Sequence, residues 1–428
     1  MPPHVMHVGF HATEESSVDS DGQMTTAVIP MASAARLPAS VAARFARIAV
    51  VDLPDTVDTG DVDDLDSYDR GIDRLRDRVH ELVAEFGRPI GIVGLYEHTT
   101  LPAARLRAEF GLPGTTVRAA ELCRDKVAMK QAVRDAGIAV PRFLACAPGT
   151  TTKDVERFVR DLPGRIVVKP RRQAASIGVR VLDTAADVVK LAQAGELAAT
   201  DEIEEFVDGT IHHFDGVVRD GLVRWFCPSK YVNSCFDFKH ADIPVASVTI
   251  DDPALTRRAL DFTGTVLAAL GLTDSTFHLE VFRTPDDRFV FLEIGARPGG
   301  AGIPMRTREI YGLDLARETV LACTNEPSAV PVPGTVLELS DVGASGFLIM
   351  PLPATGGGRV AAVTGADRLP ASVVRADIPA VGDVLDADAL WPTAGFFLLR
   401  GASTAAVEQD MTTITQIYEV TIALGETG

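Results

Sequence analysis

Residues 277–282 (Phe-His-Leu-Glu-Val-Phe) and 289–294 (Phe-Val-Phe-Leu-Glu-Ile) are two short β-rich runs six residues apart, and each carries one glutamate. Runs of that length and spacing read as a hairpin. With 283–288 as the turn, Phe282 faces Phe289, Glu280 opposes Phe291 and Glu293 opposes His278. Glu280 and Glu293 then share one face as diagonal neighbours about 7–8 Å apart. Leu279, Val281, Val290, Leu292 and Ile294 turn to the other face, which can pack on a core. Two carboxylates on one sheet face, with no lysine beside them in the chain, repel unless a cation sits between them. Their hard oxygens suit Mg²⁺ completed by phosphate oxygens. A pair of solvated glutamates is the plain alternative.

The residues after the hairpin favour the metal. Arg297 follows Glu293 by four positions and leads into Pro298-Gly299-Gly300-Ala301-Gly302. A guanidinium fork matches phosphoryl and tetrahedral oxygens, and glycines let backbone N–H groups approach an anion. Upstream, the apolar run 166–168 ends in Lys169, whose desolvation calls for an anionic partner. The polar loop 171–178 behind it holds Gln173, Ser176 and Gly178. Arg124-Asp125-Lys126 adds a second cation within a helix expected over 119–136, and Glu204-Glu205-Phe206-Val207 enters a short apolar strand. Neither a Walker A motif nor a G-x-G-x-x-G after a strand is present, so P-loop and dinucleotide-fold readings lack their fingerprint.

The rest of the chain sets the frame. Apolar runs at 4–10, 48–52 and 90–95, with a helical pattern over 69–86, suggest a small parallel α/β sheet. Further helices are expected over 185–194, 253–270 and 405–424, and a hairpin around Arg219-Asp220-Gly221. The Pro- and Gly-rich stretch 325–334 reads as a linker to a β-rich tail. A chain of 428 residues, 46% hydrophobic and 23% charged, is globular and holds several domains. Its formal charge of −18 disfavours nucleic acid as a partner. Eight aspartates crowd positions 52–69 and read as a solvated loop. No long uncharged apolar stretch suggests a membrane span. The absence of signal-like residues at the N-terminus and five scattered cysteines fit the cytoplasm.

In this order and spacing, the pieces resemble the ATP-grasp superfamily across roughly residues 90–325. The resemblance implies a mixed α/β fold: an N-terminal parallel α/β domain (1–118), a small lobe (119–205), a large lobe bearing the metal carboxylates (206–325) and a β-rich C-terminal subdomain (326–428). It implies ATP and Mg²⁺, with Mn²⁺ as a substitute. Lys126, Lys169, Ser176, Gly178 and the hinge Glu204, Glu205, Phe206 and Val207 would bind nucleotide, Glu280 and Glu293 the metal, and Arg297 would be catalytic. Gly295 stands where the family commonly has a third metal ligand, an asparagine. Ile211 stands where a carboxylate often binds ribose, leaving His212 or Asp208 as its substitute. The chain is most similar to amino-acid ligases that make dipeptides and related amides. That likeness implies a small carboxylate and an amine as substrates, with Lys230, His240, Gly299 and Gly300 near them, and is compatible with a homodimer. A thiol or carrier-protein acceptor, and a non-catalytic ATP-binding module, stay open.

Overall fold

The computed structural model describes residues 4–9, 47–52, scattered positions between 73 and 84, then 89–174, 176–330, 343–354, 356–387 and 393–423. Three early apolar runs form β1 (His4–Gly9), β2 (Arg47–Asp52) and β3 (Gly91–Gly94), which pair in parallel in the order β2-β1-β3. The aspartate-rich run beyond Asp52 and most of the helix expected over 69–86 lie outside the described residues. After β3 the chain turns through Glu97–Thr99 into α1 (Thr100–Phe110). Glu97 therefore leaves the carboxyl end of a parallel strand, where ligands of open α/β sheets gather.

The single helix expected over 119–136 is two. α2 (Val117–Arg124) stops at Asp125, and α3 (Lys126–Asp135) starts directly after it. Asp125 takes an extended backbone (φ −103°, ψ 107°), and its carboxylate accepts from the amides of Val127 and Ala128. An N-capping aspartate satisfies amides that a continuous helix would bond internally, so the chain breaks there. The break gathers Arg124, Asp125 and Lys126 at one corner.

A small antiparallel sheet follows. β4 (Phe143–Ala145), β5 (Ile166–Pro170), β6 (Arg180–Leu182) and β7 (Asp201–Glu205) run in the order β4-β7-β5-β6. α4 (Thr152–Val159) and α5 (Ala185–Ala194) cover one face, packing Val155, Val159 and Val188 on Ile166, Val168 and Ile203. Side chains alternate along a strand, so Lys169, Glu202 and Glu204 project from the opposite face.

The large sheet has eight antiparallel strands. β8 (Thr210–Arg219) and β9 (Leu222–Asn233) are joined by Asp220-Gly221, both at positive φ (53° and 72°), the geometry a two-residue hairpin needs. Then come α6 (Cys235–Ala241), β10 (Val245–Thr249), α7 (Pro253–Leu270), β11 (Ser275–Arg283), β12 (Phe289–Gly295), α8 (Ile303–Tyr311) and α9 (Leu315–Cys323). β13 (Ala344–Pro351), β14 (Gly358–Thr364), β15 (Val373–Asp377), β16 (Val384–Leu385), β17 (Thr393–Gly401), α10 (Thr404–Ile417) and β18 (Glu419–Ile422) complete the order. The sheet runs β12-β11-β8-β9-β10-β13-β17-β15, so strands from the C-terminal hundred residues extend it directly. β16-β14-β18 form a separate small sheet.

One face of the large sheet packs Phe214, Phe277, Leu279, Val281, Phe291 and Ile294 against α2, α3 and α7. The other carries Val217, Trp225 and Cys227, covered by α6, α8 and α9. His213, Asp215, His278 and Glu280 lie on this second face by the same alternation, at β8–β11 pairs Glu280↔His213 and His278↔Asp215.

Asp125 both caps α3 and accepts Arg171 (Nη2 to Oδ2, 2.6 Å). Asp125→Ala should lower unfolding free energy by about 1–2 kcal/mol, with Asp125→Asn costing less because an amide oxygen still caps. Urea midpoints of the two variants check this.

Candidate active site

The hairpin of β11 and β12 forms, in a different register. β11 runs on to Arg283, and residues 284–288 make the turn, closed by the Thr284 amide on the Arg288 carbonyl (3.0 Å) with Asp287 at φ 62°. Phe282 thus pairs Val290, and a bulge between Glu280 and Val281 shifts the ladder again. Glu280 and Glu293 become direct cross-strand partners rather than diagonal ones, and share a face. Turn length fixed the first shift, and the bulge re-aims Glu280, as bulges beside sites do.

The two carboxylates do meet cations from this chain. Lys126 Nζ lies 3.1 Å from Glu293 Oε2, and His278 Nε2 lies 3.4 Å from Glu280 Oε1. Lys169, buried under the small sheet, feels the negative charge of both. Its pKa is lowered by burial despite Glu202 and Glu293, which pull it up.

Lys169 is one of two buried lysines there. Lys130, wholly inaccessible on α3, places Nζ 2.6 Å from Glu202 Oε2 and also contacts Glu204, while Lys169 Nζ is 2.8 Å from Glu204 Oε2. Burial and the neighbouring Lys169 push Lys130 down to about 7 against the pull of Glu202. Sequence reading missed Lys130 and Glu202. The available signal was helical spacing: Lys130 is four residues beyond Lys126, on the face with buried Met129 and Val133.

Arg124, Asp125 and Lys126 each hold the loop after β5. Arg124 Nη2 donates to the Arg172 carbonyl (2.7 Å), Asp125 accepts Arg171, and Lys126 Nζ donates to the Gln173 carbonyl (2.5 Å). Lys126 therefore bridges that loop to Glu293. Arg297 Nε is 2.5 Å from Glu97 Oε2, whose Oε1 accepts Arg124 Nη1 at 2.6 Å. Burial opposes ionisation of Glu97, but Arg297 and Arg124 hold its carboxyl well below the usual range. Glu97 was not anticipated. Its position just past a parallel strand was the available clue. Glu97, Lys126, Gln173, His278, Glu293 and Arg297 line one cleft.

Other anticipated residues fall elsewhere. Ser176 sits at the loop tip with φ 58°, and a Cβ on Gly178 would come within 2.8 Å of Pro170. Glu205 points away from Glu204 and pairs with Arg142 (2.6 Å), since strand alternation sends neighbours to opposite faces. Phe206 stacks under the Arg165 guanidinium (3.7 Å), and Val207 is half-buried beside it. His212 pairs Val281 and packs edge-on against Phe289, on the opposite sheet face from Glu280, so it does not join the cleft. Lys230 pairs with Glu408 of α10 (2.8 Å). His240 falls on α6, and its side chain lies outside the described residues. Gly299 is pressed on Asp215 and His278, where a Cβ would come within 2.6 Å of Asp215 Oδ1, while Gly300 is exposed with open space around it.

The chemistry of these residues fits a nucleotide with its metal: two opposed carboxylates, two buried lysines and a carboxylate-held arginine. Among solved structures, L-amino acid ligase from Bacillus licheniformis superposes with TM-score 0.66 at 17% identity, covering 89% of each chain. The chain has the ATP-grasp fold. The biotin carboxylase domain of Hydrogenobacter thermophilus 2-oxoglutarate carboxylase, solved with magnesium ADP, shares this ATP-grasp architecture at TM-score 0.57 and 14% identity, over 89% of this chain and 82% of that one. In sequence, L-arginine-specific L-amino acid ligase of Bacillus subtilis is 25% identical over 255 residues, 57% of this chain and 61% of that protein. No family model matches the chain. No described helix is long and apolar enough to cross a membrane.

Behind the cleft, Asp215 accepts His213 Nδ1 (2.7 Å) and His278 Nδ1 (2.8 Å). Against the cost of burial, His278 and His213 hold Asp215 below its usual range, and Asp215 raises His278 from 6.5 to about 10. A histidine pKa raised by folding adds stability that is full below the unfolded value of 6.5 and lost as pH climbs towards about 10. The stability gap between the parent and Asp215→Asn should therefore be large near pH 6 and shrink by pH 10, as read by urea unfolding at each pH.

Proposed function

We propose that this chain is an ATP-dependent ligase that joins a small carboxylate, an amino acid among the candidates, to an amine through an acyl phosphate. The observation that carries this reading is the direct opposition of Glu280 and Glu293, with Lys126 on one and Lys169 feeling both. The likeness to amino-acid ligases supports it.

At neutral pH a carboxylate is not electrophilic and an ammonium is not nucleophilic, so activation must come first. Lys130 and Lys169 hold phosphate oxygens, displacing part of their present pairing with Glu202 and Glu204. Glu280 and Glu293 would hold Mg²⁺, which when bound would supply charge neutralisation on the phosphates. A substrate carboxylate oxygen attacks the γ-phosphorus, ADP leaves, and an acyl phosphate forms. The free amine then attacks the carbonyl, loses a proton, and phosphate departs with the former carboxylate oxygen. Glu97 fixes Arg297 so that its remaining N–H groups face the charge that develops. Most of the rate comes from such positioning and charge stabilisation. The clamp of residues 124–126 on the loop from Arg171 sets how that loop lies over the phosphates.

ADP release screened over pairs of amino acids, with mass detection of the product, should show release only with an acid–amine pair and yield their amide. Arg297→Ala should lower turnover by about 100–1000-fold. Near-parental ADP release from that variant would remove Arg297 from the chemistry, and a thioester product would replace the amine by a thiol.

A further inference from the structure

Arg306 on α8 is wholly buried, yet no acidic side chain lies within 4.0 Å of its guanidinium among the described residues. Its Nη2 donates to Ser229 Oγ (2.9 Å) and approaches Cys227 Sγ (3.8 Å), its Nη1 donates to Ser247 Oγ (3.4 Å), and its Nε has no partner. The Phe347 ring lies 5.8 Å away, and the surroundings on this side of the sheet are Ile303, Phe347 and Leu398. Burying a charge without a direct counter-ion is costly, so such a residue persists where something else needs it.

A continuous chain of polar contacts leads from it to the cleft. Ser247 Oγ is 2.6 Å from His213 Nε2, and His213 Nδ1 is 2.7 Å from Asp215 Oδ2. Asp215 Oδ1 is 2.8 Å from His278 Nδ1, and His278 Nε2 is 3.4 Å from Glu280 Oε1. Arginine can only donate. Ser247 therefore accepts from Arg306, which alone leaves its own proton undirected, since a hydroxyl has two lone pairs. The Asp215 carboxylate only accepts, so His213 donates to it from Nδ1, and a neutral His213 then takes the Ser247 proton at Nε2. The other Asp215 oxygen accepts His278 Nδ1–H, and the far side of the His278 ring is turned to Glu280. The proton directions are set from two points, the donor-only Arg306 and the acceptor-only Asp215 carboxylate. Gly299, whose Cβ would collide with Asp215 and His278, lets the loop after Arg297 close over the middle of this chain.

We propose that Arg306 is a positioning residue that, through Ser247, His213, Asp215 and His278, orients the Glu280 carboxylate for the divalent cation. This rests on the reading of Glu280 as a metal ligand. His213, Asp215 and His278 offer ligand atoms within 4.8 Å of one another, a set that could also hold a metal. Both Asp215 oxygens are already engaged at hydrogen-bond distance by the two rings, which accounts for the trio without an ion.

The test measures Mn²⁺ affinity in the presence of ADP by electron paramagnetic resonance on the full chain, beside thermal unfolding. Partners that orient a metal ligand typically change affinity by about 10–100-fold. Ser247→Ala, a small change in volume, and Arg306→Met should each weaken Mn²⁺ by about tenfold or more, while Arg306→Lys, still a donor-only cation, should recover much of the loss. Glu280→Gln is the control for the underlying reading. If Glu280→Gln weakens Mn²⁺ but Ser247→Ala and Arg306→Met bind it as the parent does, the relay is overturned and the metal site stands. If Glu280→Gln also binds as the parent does, the metal reading fails and the relay fails with it. A second Mn²⁺ per chain that vanishes in His213→Asn would make the trio a metal site and overturn the relay.

Discussion

Two carboxylates set directly opposite each other on neighbouring strands are a standing electrostatic debt, and the site is organised around settling it. Glu280 and Glu293 cannot both stay ionised at that spacing without positive charge close by. Among the described residues the charge arrives from several elements: Lys126 at the start of α3, His278 two positions before Glu280, Lys169 at the end of β5 and Arg297 beyond β12. Remove the opposition and these cations have no common reason to converge.

The same logic extends outward in layers. Lys169 and Lys130 are too buried to stand alone, and Glu202 and Glu204 balance them. Arg297 is balanced by Glu97, and Glu97 by Arg124. A chain whose formal charge is −18 thus keeps cations where a polyphosphate would need them. Paired buried charges contribute little net stability, because desolvation offsets their attraction. Their value lies in fixed geometry. Arg124, Asp125 and Lys126 illustrate this, since a broken helix turns three consecutive residues into three grips on one loop.

What the sequence made legible was whatever depends on local pattern. The parallel β1–β3 set, the Asp220-Gly221 hairpin, α5, α7 and the one-face placement of Glu280 and Glu293 all follow from periodicity or turn chemistry. Register did not, because a one-residue difference in turn length and a bulge at Glu280 leave no mark on hydrophobic alternation. The helix break at Asp125 was readable in principle from capping chemistry but was outweighed by apolar spacing on both sides. Glu97, Lys130, Glu202 and Arg306 stayed hidden for one shared reason. Each is defined by a partner far away in the chain, and a charged residue on a turn, a strand or an amphipathic helix looks like surface until its partner is known. Lys126, read for a phosphate, also reaches Glu293 and a loop carbonyl, contacts that sequence spacing does not show. His212 was named from the resemblance, as a stand-in for the carboxylate missing at Ile211, and strand alternation turns it to the face opposite Glu280.

The central claim is that a carboxylate oxygen is bonded to phosphorus before the amine arrives. Supplying the acid substrate with ¹⁸O in its carboxylate and analysing the released phosphate by mass spectrometry tests this directly. The account requires one labelled oxygen in each phosphate released. Phosphate free of label, with amide product still forming, would contradict it.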